Sequence, residues 1–188
     1  MDISYKSTRS DRYTVTASEA ILQGLAPDGG LFVPSGFPVI KRSMRELAGL
    51  TYKELALEIL SLYLTDYTEE ELKRCIDGAY DDKFDTDEIA PLKKAGDAWF
   101  LELFHGPTIA FKDMALSILP YLMTTAAAKN GLDKETVILT ATSGDTGKAA
   151  LAGFADVKGT RIVVYYPKDG VSRIQERQMV TQAGETPV

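Results

Sequence analysis

The sequence holds a single cysteine and a single histidine among its 188 residues, and it has no excess of positive charge. One cysteine excludes an internal disulfide, and Cys75 sits in "EEELKRCIDGAY", an amphipathic helical pattern in which a thiol packs as a small apolar group. Lys+Arg 21 against Asp+Glu 27 gives a net charge of -6, which argues against a nucleic-acid or anionic-membrane surface, because phosphate backbones are held by clustered cations. The opening "MDISYKSTRSDRYTV" lacks the uncharged apolar stretch of a signal peptide, and no run approaches the length that spans a bilayer. A cytoplasmic, reducing compartment is the expectation. There is no internal repeat, no low-complexity linker, and no G-x-G-x-x-G after any strand-like run, so a dinucleotide site is unsupported.

What is present is an alternation of helical and strand-like segments, with 45% hydrophobic and 26% charged residues, enough to bury one substantial core. "TASEAILQGL" has helical spacing, and "APDGGLFVPSGFP" reads as a turn with an extended run behind it. "TYKELALEILSLYL" and "TEEELKRCIDGAY" read as helices, the second opened by a capping box of Thr68 and Glu71. Up to about Tyr80 the expectation is a helical lobe. From Ala98, "AWFLEL" reads as a short strand, "FHGPTIAFKD" as a loop, and "MALSILPYLMTTAAAKNG" as a helix kinked or broken by Pro120 and closed at Asn130-Gly131. A buried parallel strand "TVILTAT", a polar loop "SGDTG", a helix "KAALAGFAD", a strand "RIVVYY" and a helix "SRIQERQMVTQAG" follow. The fold class expected is α/β, an open, mostly parallel sheet with flanking helices at 91–188, preceded by a small helical lobe at 1–90. Sheets of this kind bind ligands at the carboxyl ends of their strands.

Two loops can carry chemistry. In "FHGPTIAFKD", Lys112 follows Phe111 where an apolar loop meets a helix, and desolvation there favours a free amine able to condense with an aldehyde. The bland alternative is a lysine snorkelling from a helix start. His105, in the same loop, could serve as an acid-base group or simply pack and hydrogen-bond. In "TSGDTG", Gly144 and Gly147 let the backbone approach a ligand, Ser143 and Thr146 offer hydroxyls, and the amides of the following helix favour a carboxylate or phosphate. An ordinary capped turn is the alternative. "SGDTGK" is not a nucleotide P-loop, since Thr142 stands where that pattern needs glycine and Ala149 where it needs Ser or Thr.

"FHGPTIAFKDMAL" and "ILTATSGDTGKAAL" resemble the cofactor-lysine and substrate-loop motifs of the threonine synthase family of fold-type II pyridoxal-phosphate enzymes. "YKSTRS", "LAPDGGLFVPSGFP" and "YPKDGVSRIQERQM" resemble further signatures of that family, in its order, from about Tyr5 to Gln182. The resemblance implies that Lys112 forms the internal Schiff base with pyridoxal 5'-phosphate and that Phe111 packs against the cofactor pocket. It also implies that Ser143, Gly144, Asp145, Thr146 and Gly147 grip the substrate carboxylate near the cofactor ring, with Asp145 where many relatives have Asn. A carboxylate there would repel the substrate's unless it faces the cofactor or carries a proton. The reaction implied is a lyase step of threonine biosynthesis, in which O-phosphohomoserine and water become threonine and phosphate, with Lys112 carrying protons and no metal. Members of the family continue well beyond the equivalent of Val188, so the expectation is a fragment, inactive alone, prone to self-association, whose partner is the missing carboxy-terminal portion. The competing readings are a phospholyase that makes no threonine, a non-catalytic structural module, and a nucleotide-dependent phosphotransferase.

Overall fold

The computed structural model describes residues 2–142, 144–182 and Gly184. They form two compact units. The first runs as far as Asp77 and takes in Leu122–Asp133; the second comprises Gly78–Tyr121 and the chain from Lys134 onward.

In the first unit, short strands β1 (Tyr5–Ser7), β2 (Thr14–Val15) and β3 (Phe32–Pro34) form an antiparallel sheet in the order β2-β1-β3. The amino-terminal lobe is therefore not purely helical. Strands of two or three residues are too short to display a period of two, so of the three only β3 shows in the sequence, as the extended run behind the turn. Helices α1 (Ala17–Gln23), α2 (Met44–Leu47), α3 (Tyr52–Tyr63) and α4 (Glu69–Ala79) follow. Capping boxes at Thr16/Glu19, Ser43/Glu46 and Thr51/Glu54 start the first three. The Thr68/Glu71 box has both of its hydrogen bonds, at 2.8 and 3.2 Å. These boxes satisfy amides that a helix start leaves open. α4 buries Leu72, Cys75 and Ile76, and the Cys75 thiol lies 3.4 Å from the Thr125 hydroxyl. Burial pushes the Cys75 thiol up, so it is an inert packing group.

The second unit opens on an antiparallel hairpin of β4 (Leu92–Ala95) and β5 (Ala98–Leu101), paired from Leu92↔Leu101 to Ala95↔Ala98. β4 carries Lys93-Lys94 and every residue of it is exposed, so no apolar alternation marks it. α5 (Asp113–Leu116) and α6 (Leu119–Lys129) form where one helix was expected. The break falls at Ser117–Ile118, and Pro120 sits in the first turn of α6, where its missing N–H costs nothing. Gly131, at φ +65°, closes α6.

Strand β6 (Thr136–Ala141) pairs in parallel with β7 (Thr160–Tyr165), with α7 (Asp145–Phe154) between them and α8 (Arg173–Val180) after them. The chain is thus α/β, with one parallel pair and two antiparallel sheets among the described residues. Two expectations change here. β6 alternates half-buried and exposed residues rather than being buried throughout, with Leu139 69% exposed, because no described element covers that face. And α7 begins at Asp145, so Asp145, Thr146 and Gly147 belong to the first helical turn rather than to a loop.

Candidate functional site

Lys112 occupies the N-cap of α5 in helical geometry, with Asp113 as the first helical residue. Lys112 is half-buried, and its ammonium lies 4.9 Å from the centroid of the Phe111 ring. The Phe111 ring is 61% exposed. No described carboxylate pairs with Lys112, whereas Lys53, Lys73, Lys83, Lys93 and Lys129 each hold one. The loop before it is held by Asp113, which is buried and accepts from the Thr108 amide at 2.8 Å and the Thr108 hydroxyl at 2.5 Å.

At the second loop, Gly144 has φ +148°, a conformation that side-chain-bearing residues avoid, and a Cβ there would lie 2.6 Å from Gln175. The N-cap Gly144 has no side chain to cap α7, and the Thr142 hydroxyl takes that role, accepting from the amides of Gly144 and Gly147, each at 3.1 Å. The amides of Asp145 and Thr146 donate to no acceptor among the described residues, which leaves the start of α7 receptive to an anion. Thr146 is exposed. The Asp145 carboxylate accepts from Gln175 Nε2 at 2.6 Å, and the Gln175 amide oxygen in turn accepts from the Ser172 hydroxyl at 3.0 Å. Asp145 is thereby drawn toward α8. Ser143 lies outside the described residues.

The two loops lead into helices that pack against each other. A Cβ on Gly153, late in α7, would lie 2.2 Å from the Leu116 carbonyl oxygen at the end of α5, so the two backbones touch there. Lys148, early in α7, feels the charge of Asp113 at the start of α5. Burial pushes the Lys148 ammonium down, and Asp113 pulls it the other way. Lys112 stands at the amino-terminal start of α5, and Gly144–Gly147 at that of α7. Asp113, Thr142, Gln175 and Gly153 were not singled out from sequence. Thr142 was legible only as a P-loop mismatch, and the others show their roles through partners 3 to 37 residues away.

His105 is held on both sides. Its Nδ1 lies 2.5 Å from Asp85 and its Nε2 2.9 Å from Glu102. Glu102 first, then Asp85, raise its affinity for a proton, so it reads as a loop tie rather than a free acid-base group. Because the folded-state value is raised, the tie contributes fully below the unfolded value of about 6.5 and is lost as pH rises through the folded value. In the full-length protein, His105→Gln should flatten the fall of the unfolding midpoint with rising pH in that window. An identical pH profile in the variant would show that the tie contributes nothing. Among the described residues no group of three His, Cys, Asp or Glu side chains is placed to hold a metal ion. No described helix is long and apolar enough to cross a membrane.

A lysine at the start of α5 and a glycine-bounded, anion-receptive helix start on a parallel β-α-β unit are features that α/β small-molecule sites use. Residues 4–80 match the family model described as Threonine synthase N terminus. The chain is 39% identical over 186 residues to threonine synthase of Pseudomonas aeruginosa, covering 96% of this chain and 39% of that protein. It is 38% identical over 173 residues to threonine synthase-like 1 of Homo sapiens, covering 87% of this chain and 23% of that protein. The crystal structure of PLP-bound threonine synthase from Brucella melitensis superposes with a TM-score of 0.84 at 36% identity, over 95% of this chain and 38% of that one. The chain belongs to the threonine synthase family, and it spans less than half the length of these relatives.

Proposed function

We propose that this chain supplies the cofactor lysine and the substrate loop of a pyridoxal-phosphate enzyme that converts O-phospho-L-homoserine and water to L-threonine and phosphate. The observation that carries this is the packing of α5, which starts at Lys112, against α7, which starts at the glycine loop, in a chain of this family. The residues fit the cofactor: an amine with no carboxylate partner stands beside an exposed aromatic ring, and the helix packed against α5 starts with amides open to an anion. Lys112 would hold the cofactor covalently, Phe111 would pack against it, and Asp145, tied by Gln175, would face away from the substrate carboxylate. Gly144, Thr146 and Gly147, with Ser143, would hold that carboxylate. The cofactor, when bound, supplies the electron sink that makes proton loss beside it feasible. Released from its covalent role, the Lys112 amine is the group within reach to take and return a proton.

In this reading residues 91–188 begin the cofactor-binding domain and residues 1–90 form the amino-terminal lobe. The enzyme acts in the cytoplasm, and its carboxy-terminal portion covers the exposed face of β6. The second reading is a phospholyase that eliminates phosphate from the same substrate without making threonine. Product analysis of the full-length enzyme with O-phosphohomoserine separates the two, since threonine supports the first and 2-oxobutyrate in its place supports the second.

Thr146→Ala in the full-length enzyme is expected to keep covalent cofactor attachment and weaken the substrate by roughly 1 to 3 kcal/mol, the worth of one hydrogen bond to a charged carboxylate. Absorbance titration with O-phosphohomoserine measures it. Unchanged affinity would remove this hydroxyl from the site.

A further inference from the structure

We propose that Asp113 is a positioning residue for Lys112: its buried carboxylate, by holding both the amide and the hydroxyl of Thr108, sets the direction in which the lysine amine leaves the start of α5. The proposal rests on the reading of Lys112 as the cofactor lysine.

Asp113 is 2% exposed, and its two oxygens are each engaged by Thr108. A buried carboxylate is costly unless hydrogen-bonded, so the pair is held as a unit. The loop it grips is close-fitted and strained. A Cβ on Gly106 would lie 2.5 Å from the Asp113 Cβ, so only glycine fits beside that side chain. Ile109, whose amide donates to the Gly106 carbonyl at 3.0 Å, has φ +60°. For a β-branched residue this is an outlier that persists only where the surroundings over-determine it. Its side chain is 71% exposed, so packing does not supply that determination. The Asp113–Thr108 tie, one residue before Ile109 and four residues after it, does.

From Ile109 the chain reaches Lys112 in three residues. The Asp113 amide donates to the Ala110 carbonyl at 3.0 Å and the Leu116 amide to the Lys112 carbonyl at 2.9 Å. The backbone of Lys112 is thus anchored from behind by the strained turn and from ahead by α5, and α5 is seated on α7 at Gly153. If the carboxylate tie is lost, the Ile109 strain is free to relax, and the relaxation moves the backbone that carries the amine.

The test uses the full-length protein stripped of cofactor, to which pyridoxal phosphate is added. Covalent attachment is followed by absorbance, and the affinity of the noncovalent encounter by fluorescence quenching. Asp113→Asn keeps the shape but puts an amide where two acceptors are needed. Thr108→Val removes only the hydroxyl donor, and Thr108→Ser keeps both donors. Since a displacement of about 1 Å can cost on the order of 10²-fold, attachment should slow about tenfold or more in Asp113→Asn, about threefold in Thr108→Val and by less than about twofold in Thr108→Ser, at nearly unchanged noncovalent affinity. A lowered thermal midpoint with an unchanged attachment rate, measured well below each variant's midpoint, would mark a purely structural tie and overturn the proposal. If Asp113→Asn does not fold, Thr108→Val decides, and attachment at the wild-type rate there overturns it. Attachment that persists in Lys112→Ala would refute the underlying reading of Lys112, and the proposal with it.

Discussion

Lys112→Ala in the full-length enzyme is expected to abolish covalent attachment of pyridoxal phosphate and to lower turnover at least about 10³-fold, because a positioned proton-transfer group alone contributes ~10²–10⁴-fold and the covalent link is lost with it. The other lysines of this part of the chain are unsuitable for physical reasons. Lys83 and Lys93 are committed to Asp81 and Glu88, and Lys148 hydrogen-bonds the Gln182 side chain. Lys94 stands over the Trp99 ring on the exposed β4–β5 hairpin. Lys112 is half-buried, has no carboxylate partner among the described residues and stands at the start of α5. The variant should still take up pyridoxal phosphate reversibly, since the exposed Phe111 ring that would pack against it is unchanged. Borohydride reduction followed by peptide mapping checks the assignment, and a label on any other lysine overturns it.

Gly153→Ala is expected to destabilise the full-length enzyme, against the usual sign of that change. In a solvent-facing helix interior, replacing glycine by alanine gains about 1 kcal/mol. Here the new methyl would meet the Leu116 carbonyl oxygen at 2.2 Å and its carbon at 2.9 Å. Those are backbone atoms, which cannot rotate aside as the end of a long side chain does. Overpacking of this kind costs about 1–3 kcal/mol or more, so the net effect is a loss. The two helices must separate to admit the methyl, and covalent cofactor attachment should slow in the same variant. Gly36→Ala is the control, because a Cβ there meets nothing within 4 Å. Thermal unfolding of the two variants side by side measures the difference; equal midpoints would show that α5 and α7 are not seated on one another as described.

What was legible in the sequence and what was not divide along the range of the interactions concerned. The Thr68/Glu71 box was readable because its hydrogen bonds span three residues, and the α5–α6 break because Pro120 acts on its own turn. Glycine at 144 announced a backbone that only glycine adopts. The strands β1 and β2 were not readable, because each is two or three residues long and β1 finds its β3 partner far along the chain, Lys6 pairing with Val33 across 27 residues; β3 showed as the extended run behind the turn. Nor was the start of α7 at Asp145, since the Thr142 hydroxyl that organises it lies before two glycines and a short polar run that mimics a loop.

The sequence by itself determined the two candidate loops, the lysine in one and the glycines in the other, because both are written in residue types whose chemistry is local. Tertiary structure decided the rest. It packed α5, which starts at Lys112, against α7, which starts at the glycine loop, through a glycine-to-backbone contact between residues 37 apart. It turned Asp145 toward Gln175 across 30 residues, and it placed carboxylates on both nitrogens of His105. Such contacts depend on which surfaces packing brings together, and no short-range pattern of residues encodes that.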